Sequence, residues 1–281
     1  MTPRVPSLIR SSLRVFALSL NHMLWSRRSM LLAFLLGSPV LLALAVRLLG
    51  SLGTASSFHF DLQINGNAIG GDALFGVIMW LLFVRFIVPV LGVFYGTALI
   101  ADEVDDKTIT YLFTRPVPRA AVLAGKYLAY LACAALLVVP SVVVVYLLIV
   151  PVGGGDLGGS FPALIADLGT LVAGLISYGA LFAWVGARIR RPLVVGLVFV
   201  FGWEPTVLLL PGYLKHLTLG YYLQSLVPDA MPQESGLSLL AQAFSEIPRL
   251  ASSLAWLAAI TGTALILAAR AVERREYVIE P

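Results

Sequence analysis

ALFGVIMWLLFVRFIVPVLGVFYGTALIA, residues 73–101, carries one charged side chain, Arg85, in a run of otherwise apolar or small residues. As a helix its about 29 residues would extend ~43 Å, longer than the ~30 Å hydrocarbon core of a bilayer. Working outward, residues 30–49, 121–150, 164–187, 192–210 and 248–269 form five more apolar runs of span length. The 281-residue chain is 59 % hydrophobic and 12 % charged, against roughly 45–50 % and 25 % in soluble domains. Its mean hydropathy is +0.92. This balance excludes an ordinary soluble globule and a disordered chain, and a single cysteine, Cys133, excludes a disulfide-stapled module. A β-barrel would alternate apolar and polar residues in segments of about ten, which these runs do not. The expected fold is all-α: a polytopic membrane protein, one six-helix transmembrane bundle over residues 1–281.

Lys and Arg beside the spans set the orientation, because cytoplasmic loops retain them. Fifteen of the 19 basic residues fall on one side: Arg4, Arg10, Arg14, Arg27 and Arg28, then Lys107, Arg115, Arg119 and Lys126, then Arg188, Arg190 and Arg191, then Arg270, Arg274 and Arg275. Arg47, Lys215 and Arg249 fall on the other. Both termini are therefore expected in the cytoplasm. The net charge of +4 follows from this topology, and no basic-aromatic platform points to nucleic acid. Residues 7–28 place Leu8, Val15 and Leu18 near one face and Arg10 and Arg14 on another, the pattern of a helix lying in the membrane interface. A disordered basic leader is the alternative. The run from Met30 is too long for the core of a cleaved signal peptide, so the first span is expected to stay attached.

The connection between the second and third spans is the informative one: IADEVDDKTITYLFTRPVPRAAVLAGKYLA, residues 100–129. Asp102, Glu103, Asp105 and Asp106 crowd the start of a predicted cytoplasmic helix, where carboxylates oppose the positive end of the dipole, and Glu103 is four residues ahead of Lys107. Val104, Thr108, Tyr111 and Leu112 share one mostly apolar face. Pro116 and Pro118 then break the helix, and the chain restarts as the third span. Such an exposed amphipathic helix with a rigid exit is a docking device.

Glu103, Lys107-Thr108, Leu112, Arg115-Pro116-Val117-Pro118-Arg119 and Gly125-Lys126 resemble the pattern around the first coupling helix of ABC type-2 transporter permeases. The chain departs from it at Lys107, where the family usually has Gly, and at Pro118, where it usually has Ser. The resemblance implies a permease subunit of an exporter that works as a dimer, with itself or a related permease, in a bacterial cytoplasmic membrane. A separate P-loop ATPase, which binds ATP and Mg, would dock on residues 102–119. It implies ATPase-coupling roles for Asp102, Glu103, Val104, Lys107, Thr108, Tyr111, Leu112, Arg115 and Arg119. The chain itself has no GxxxxGK[ST] motif, since Gly125-Lys126 lacks both the preceding loop glycine and the Ser or Thr. It is therefore expected to be non-catalytic, with no cofactor of its own. A smaller second contact is expected at Arg188, Arg190 and Arg191, the alternative being plain positive-inside charge. A further alternative for the whole chain is a membrane anchor that passes ATPase motion to an envelope partner without moving solute.

Inside the membrane, Arg85 and Glu204 approach the midplane from opposite sides, each about twelve residues into its run, or ~18 Å. They are expected to face the central pathway of the dimer or each other, as a polar gate or substrate contact or as an ion pair that fixes packing. Pro89 and Pro205 lie close to them. Gly92 and Gly96, and the series Gly169, Ala173 and Ser177, have the small-xxx-small spacing of close helix contacts. Trp80, Trp184, Trp203, Tyr213, Tyr221 and Tyr222 are expected largely as interfacial anchors, and Glu204 as the one carboxylate well inside a span. Residues 211–247 are expected to form an external re-entrant or capping segment, helical or buried in protein. His22, His59 and His216 have no metal-ligand spacing.

Overall fold

A computed structural model describes residues 8–55, 63–64, 67–68, 70–100, 119–152, 155–209, 213–227 and 248–274. Residues 102–118, most of the expected coupling helix and its exit, lie outside them, and so do 228–247 of the capping segment. The described chain is helical apart from a two-residue antiparallel pairing of β1 (Gln63–Ile64) with β2 (Asn67–Ala68). Helix α1 is Leu8–Leu24, α2 Arg27–Ala55, α3 Gly71–Ile100, α4 Arg119–Ile149 and α5 Phe161–Arg188. Then come α6 (Pro192–Val207), a 3-10 turn (Tyr213–Leu217), the short α7 (Leu219–Gln224) and α8 (Leu250–Arg274).

Among the described residues, five helices are long and apolar enough to cross a membrane: Arg28–Leu49, Gly71–Ile100, Ala121–Ile149, Phe161–Arg188 and Leu250–Glu273. Among the described residues the fifth expected span is a shorter apolar helix, Pro192–Val207, and its winding runs on to Leu209, the last residue described before Tyr213. Helix α1 packs along α4, and Gly125 allows a close approach: a Cβ there would lie 2.6 Å from the Ser12 carbonyl oxygen. The corner into α2 is capped by Ser26, whose Oγ accepts the Ser29 N–H at 3.1 Å, three residues on.

The core is built from α3, α4 and α5, with Trp80, Phe83, Tyr130, Tyr178 and Phe182 among its fully buried side chains. Gly92 and Gly96 let α3 close on α5, where an added Cβ would come within 2.7 Å of Tyr178 Cβ and 2.9 Å of Phe182 Cβ respectively. The second small-residue series behaves differently: nothing lies within 4 Å of a Cβ at Gly169. Along α3, Phe75, Met79, Phe83, Ile87, Leu91, Tyr95 and Leu99 recur at every fourth position and all are buried. In a pure α-helix such a row drifts about 40° per step and would leave the core within a few turns. Here Met79–Ile87 and Gly92–Gly96 are π-wound. Mixing roughly 4.4 residues per turn with 3.6 holds the row on one face. The first π stretch ends two residues before Pro89, and a third, Phe199–Trp203 in α6, ends two before Pro205. Proline has no N–H for the carbonyl four residues back, so widened turns gather next to it.

A side chain accommodates the proline of α2, as the bilayer demands. Pro39 deprives the Leu35 carbonyl of its helical donor, and the Ser38 hydroxyl donates to it at 2.7 Å. At the far end of α4, Arg47 Nη1 of α2 donates to the carbonyls of Leu147 and Leu148 at 3.1 and 3.4 Å, a cationic cap on the last turn. Gly71 opens α3 against the carbonyls of Val150 and Val152, so the start of α3 and the finish of α4 share this end of the bundle. The finish of α3 lies against Gly186 near the finish of α5, at the opposite end, where the basic residues gather.

The described part of the capping segment is buried in protein. All six residues of α7 are inaccessible, packed on α3, α5 and α8. Thr170 on α5 donates to the Leu226 carbonyl at 2.9 Å, and Tyr222 stacks on Trp256 of α8. Tyr221 and Tyr222 are thus core side chains and not interfacial anchors. Trp80, 1 % exposed, corrects the same expectation, whereas Trp203 is exposed.

Candidate functional site

Two groups of polar side chains stand out. The first is at the basic end, where α3 stops at Ile100 and α4 starts at Arg119, on either side of the expected coupling segment. Lys126, buried on α4, donates its ammonium to the Leu99 carbonyl at 3.1 Å, so the last turn of α3 is held directly by the first turns of α4. One residue earlier, Gly125 admits α1. The Ser29 hydroxyl at the start of α2 donates to the Met23 carbonyl at the end of α1 and pairs with Tyr95 Oη of α3 at 2.7 Å. Tyr127 and Tyr130 of α4 donate to the Ile176 and Leu175 carbonyls of α5 at 2.7 and 2.8 Å. Helices α1 to α4 are therefore cross-tied near the end from which residues 101–118 depart, and the two tyrosines tie α4 to the middle of α5. Arg188, Arg190 and Arg191 are exposed on the tight turn between α5 and α6. That turn is at the same end, because Gly186 backs onto Thr97, where a Cβ would meet its carbonyl oxygen at 2.5 Å.

Cys133 lies inside this network, fully buried, its Sγ 3.7 Å from Tyr95 Oη. A small maleimide is expected to label the folded protein roughly a hundredfold more slowly than the SDS-unfolded chain, since reaction requires α3 and α4 to part. Equal rates in a labelling time course would show that this packing does not hold in solution.

The second group is at mid-depth. Glu204, 3 % exposed on α6, accepts the Tyr178 hydroxyl of α5 at 2.6 Å on Oε1 and 2.5 Å on Oε2. The backbone N–H groups of Leu219 and Gly220, opening α7, also face its carboxylate. Glu204 thus joins α5, α6 and the capping segment. Arg85 is close enough to act electrostatically on both Glu204 and Tyr178. Its own guanidinium is half-buried over the Trp80 ring, with Cζ 5.8 Å from the centroid, and Nη1 is buried with no hydrogen-bond partner among the described residues. The two intramembrane charges are brought into one neighbourhood, and the carboxylate takes its hydrogen bonds from Tyr178 and the backbone.

Sequence reasoning passed over several of these residues. Tyr178 adjoins the Gly169, Ala173, Ser177 series and has no composition signal of its own. Asp167, 4 % exposed, is a second buried carboxylate, near the start of α5. Ser29 and Tyr95 are unremarkable residues until the fold brings them together. Among the described residues no three of His, Cys, Asp and Glu cluster as a metal site.

The described helices form a multi-pass bundle with a cross-tied basic end and a polar junction at mid-depth. The model of the ABC-2 family transporter proteins matches residues 21–271, and the chain belongs to that family. It is a membrane-embedded permease subunit of an ABC transporter. No curated protein matches the chain.

Proposed function

We propose that this chain is the permease subunit of an exporter in a bacterial cytoplasmic membrane, with both termini cytoplasmic. Two transmembrane subunits, two copies or this chain and a related permease, form the pathway. A separate P-loop ATPase, carrying ATP and Mg, docks under residues 102–119. The observation that carries the reading is the Lys126–Leu99 tie with the approach of α1 at Gly125. A push on the segment between α3 and α4 reaches both helices at once, and α1 with them. Glu103, Lys107, Tyr111, Leu112 and Arg115 form the docking surface in this reading, with the exposed arginines 188, 190 and 191 as its second contact. A hydrophobic or amphipathic cargo moves outward between the transmembrane subunits.

Purification of the chain from its native cells in nanodiscs, followed by mass spectrometry, is expected to bring a P-loop ATPase along in stoichiometric amount. Replacement of Leu112 by Asp puts a charge on the apolar docking face, and is expected to return substrate-stimulated ATPase activity to its basal level while the melting profile stays unchanged. Undiminished stimulation in Leu112→Asp would remove residues 102–119 from the coupling surface.

A further inference from the structure

Arg85 lies about midway along α3, ~20 Å from either end. Bulk lipid headgroups begin about 15 Å from the midplane. An arginine stem of roughly 6–7 Å cannot snorkel that far. An unpaired guanidinium at this depth is costly and marks a pathway or a partner. Its natural partner is already engaged, because Glu204 takes its hydrogen bonds from Tyr178 and faces the α7 backbone. Arg85 Nη1, with two of the five guanidinium N–H donors, is buried without a hydrogen bond among the described residues. The Trp80 ring lies beside it, its centroid 5.8 Å from Cζ. Beside it, the surface of α3 and α6 is apolar and open: Leu81 is 46 % exposed, Phe86 36 % and Phe201 52 %, with the two phenylalanine rings 5.8 Å apart.

We propose that Arg85 is the anion-recognition group of the translocation pathway, and that the cargo is an amphipath with a carboxylate or phosphate head and an apolar tail lying along Phe86 and Phe201. The proposal rests on the exporter reading and names its substrate class. A planar guanidinium fork suits the two oxygens of a carboxylate or phosphate. The anion must come through the pathway, since bulk headgroups are out of reach. An aromatic pair next to the fork supplies area for the tail at little cost in side-chain entropy.

The full chain, purified into phosphatidylcholine nanodiscs, is titrated with radiolabelled dodecyl phosphate. Bound label is then competed with dodecanoate, dodecylphosphocholine, dodecyltrimethylammonium and inorganic phosphate. Binding is expected to saturate and to be displaced by dodecanoate. The phosphocholine should compete at least about tenfold more weakly and the trimethylammonium not at all. Failure of inorganic phosphate at about hundredfold excess would separate an amphipath site from a free-anion site. Arg85→Gln is expected to weaken binding about tenfold or more, and Arg85→Lys, which keeps the charge but not the fork, less than that.

Should Arg85→Gln fail to fold, Phe201→Ala on the exposed face decides the matter, since it should weaken dodecyl phosphate and leave butyl phosphate unchanged. Headgroup-blind or unsaturable binding by the wild type, wild-type affinity in Arg85→Gln, or equal effects of Phe201→Ala on both probes would overturn the proposal. Dissociation of a dimer by Arg85→Gln with label binding intact would also overturn it, assigning the acceptor to a carboxylate of a second copy. No ATPase takes part in the titration. A chain that binds as expected yet captures no ATPase keeps the anion site and loses the exporter; one that captures an ATPase but binds headgroup-blind does the reverse.

Discussion

Phenylalanine in place of Tyr178 is expected to destabilise the bundle by about 2–4 kcal/mol, because it leaves a buried carboxylate without its hydroxyl donor and puts nothing in its place. The hydroxyl reaches both oxygens of Glu204, at 2.6 and 2.5 Å. Water at this depth is scarce, so no solvent molecule readily substitutes. Glu204→Leu should cost a similar amount, since it strands the Tyr178 hydroxyl and the N–H groups at the start of α7. The double substitution is expected to cost clearly less than the two added together, for then neither side of the pair is left unsatisfied. Thermal unfolding of the four proteins in one detergent measures the cycle. Additive losses would mean that the hydrogen bond contributes little and that α5, α6 and the capping segment are held by apolar packing alone.

The second large effect concerns two glycines of one helix. Glycine to alanine in a helix interior gains up to about 1 kcal/mol of propensity. At Gly169, with nothing within 4 Å of the new Cβ, that gain should appear as a small stabilisation. At Gly179 the same Cβ would lie 2.1 Å from Tyr130 Cε1. Tyr130 has little room to yield, since its rings neighbours Tyr95 and Tyr127 each lie 6.0 Å away and its hydroxyl is bound to the Leu175 carbonyl. Overpacking of this depth costs ~3 kcal/mol or more, which outweighs the propensity gain and reverses the sign. Parallel melting curves of Gly169→Ala and Gly179→Ala check the contrast; equal shifts would show that α4 and α5 are not in contact at Tyr130.

What could be read from the residues alone follows from what the bilayer enforces. Span-length apolar runs declare helices because no other backbone arrangement in them would satisfy its polar groups, and Arg85 and Glu204 stood out against that background. Their partners did not, since Tyr178 and Trp80 are ordinary in a chain with 10 tyrosines and 5 tryptophans. Whether such a ring sits at the headgroups or in the core depends on helix packing, which hydropathy does not encode. The run 192–210 is helical as far as it is described, to Leu209, but its π stretch Phe199–Trp203 has no signal in hydropathy. Gly125-Lys126 was legible as a motif by resemblance. Its physical sense, a gap for α1 and an ammonium for the Leu99 carbonyl, needed three helices in place.

Winding also sets the reach of α3. A π turn advances less per residue than the 1.5 Å of an α turn, so α3, with two π stretches, is shorter than the ~45 Å that its 30 residues imply at uniform α pitch. Length and rotation are then coupled as in a screw. If a displacement at its Leu99 end tightens some of those turns, α3 extends and its Arg85 section turns relative to Leu99 in the same movement. A one-residue deletion within Met79–Ile87 would change that thread pitch, and its imprint would be a shift in the angular bearing of Arg85 more than a loss of helix.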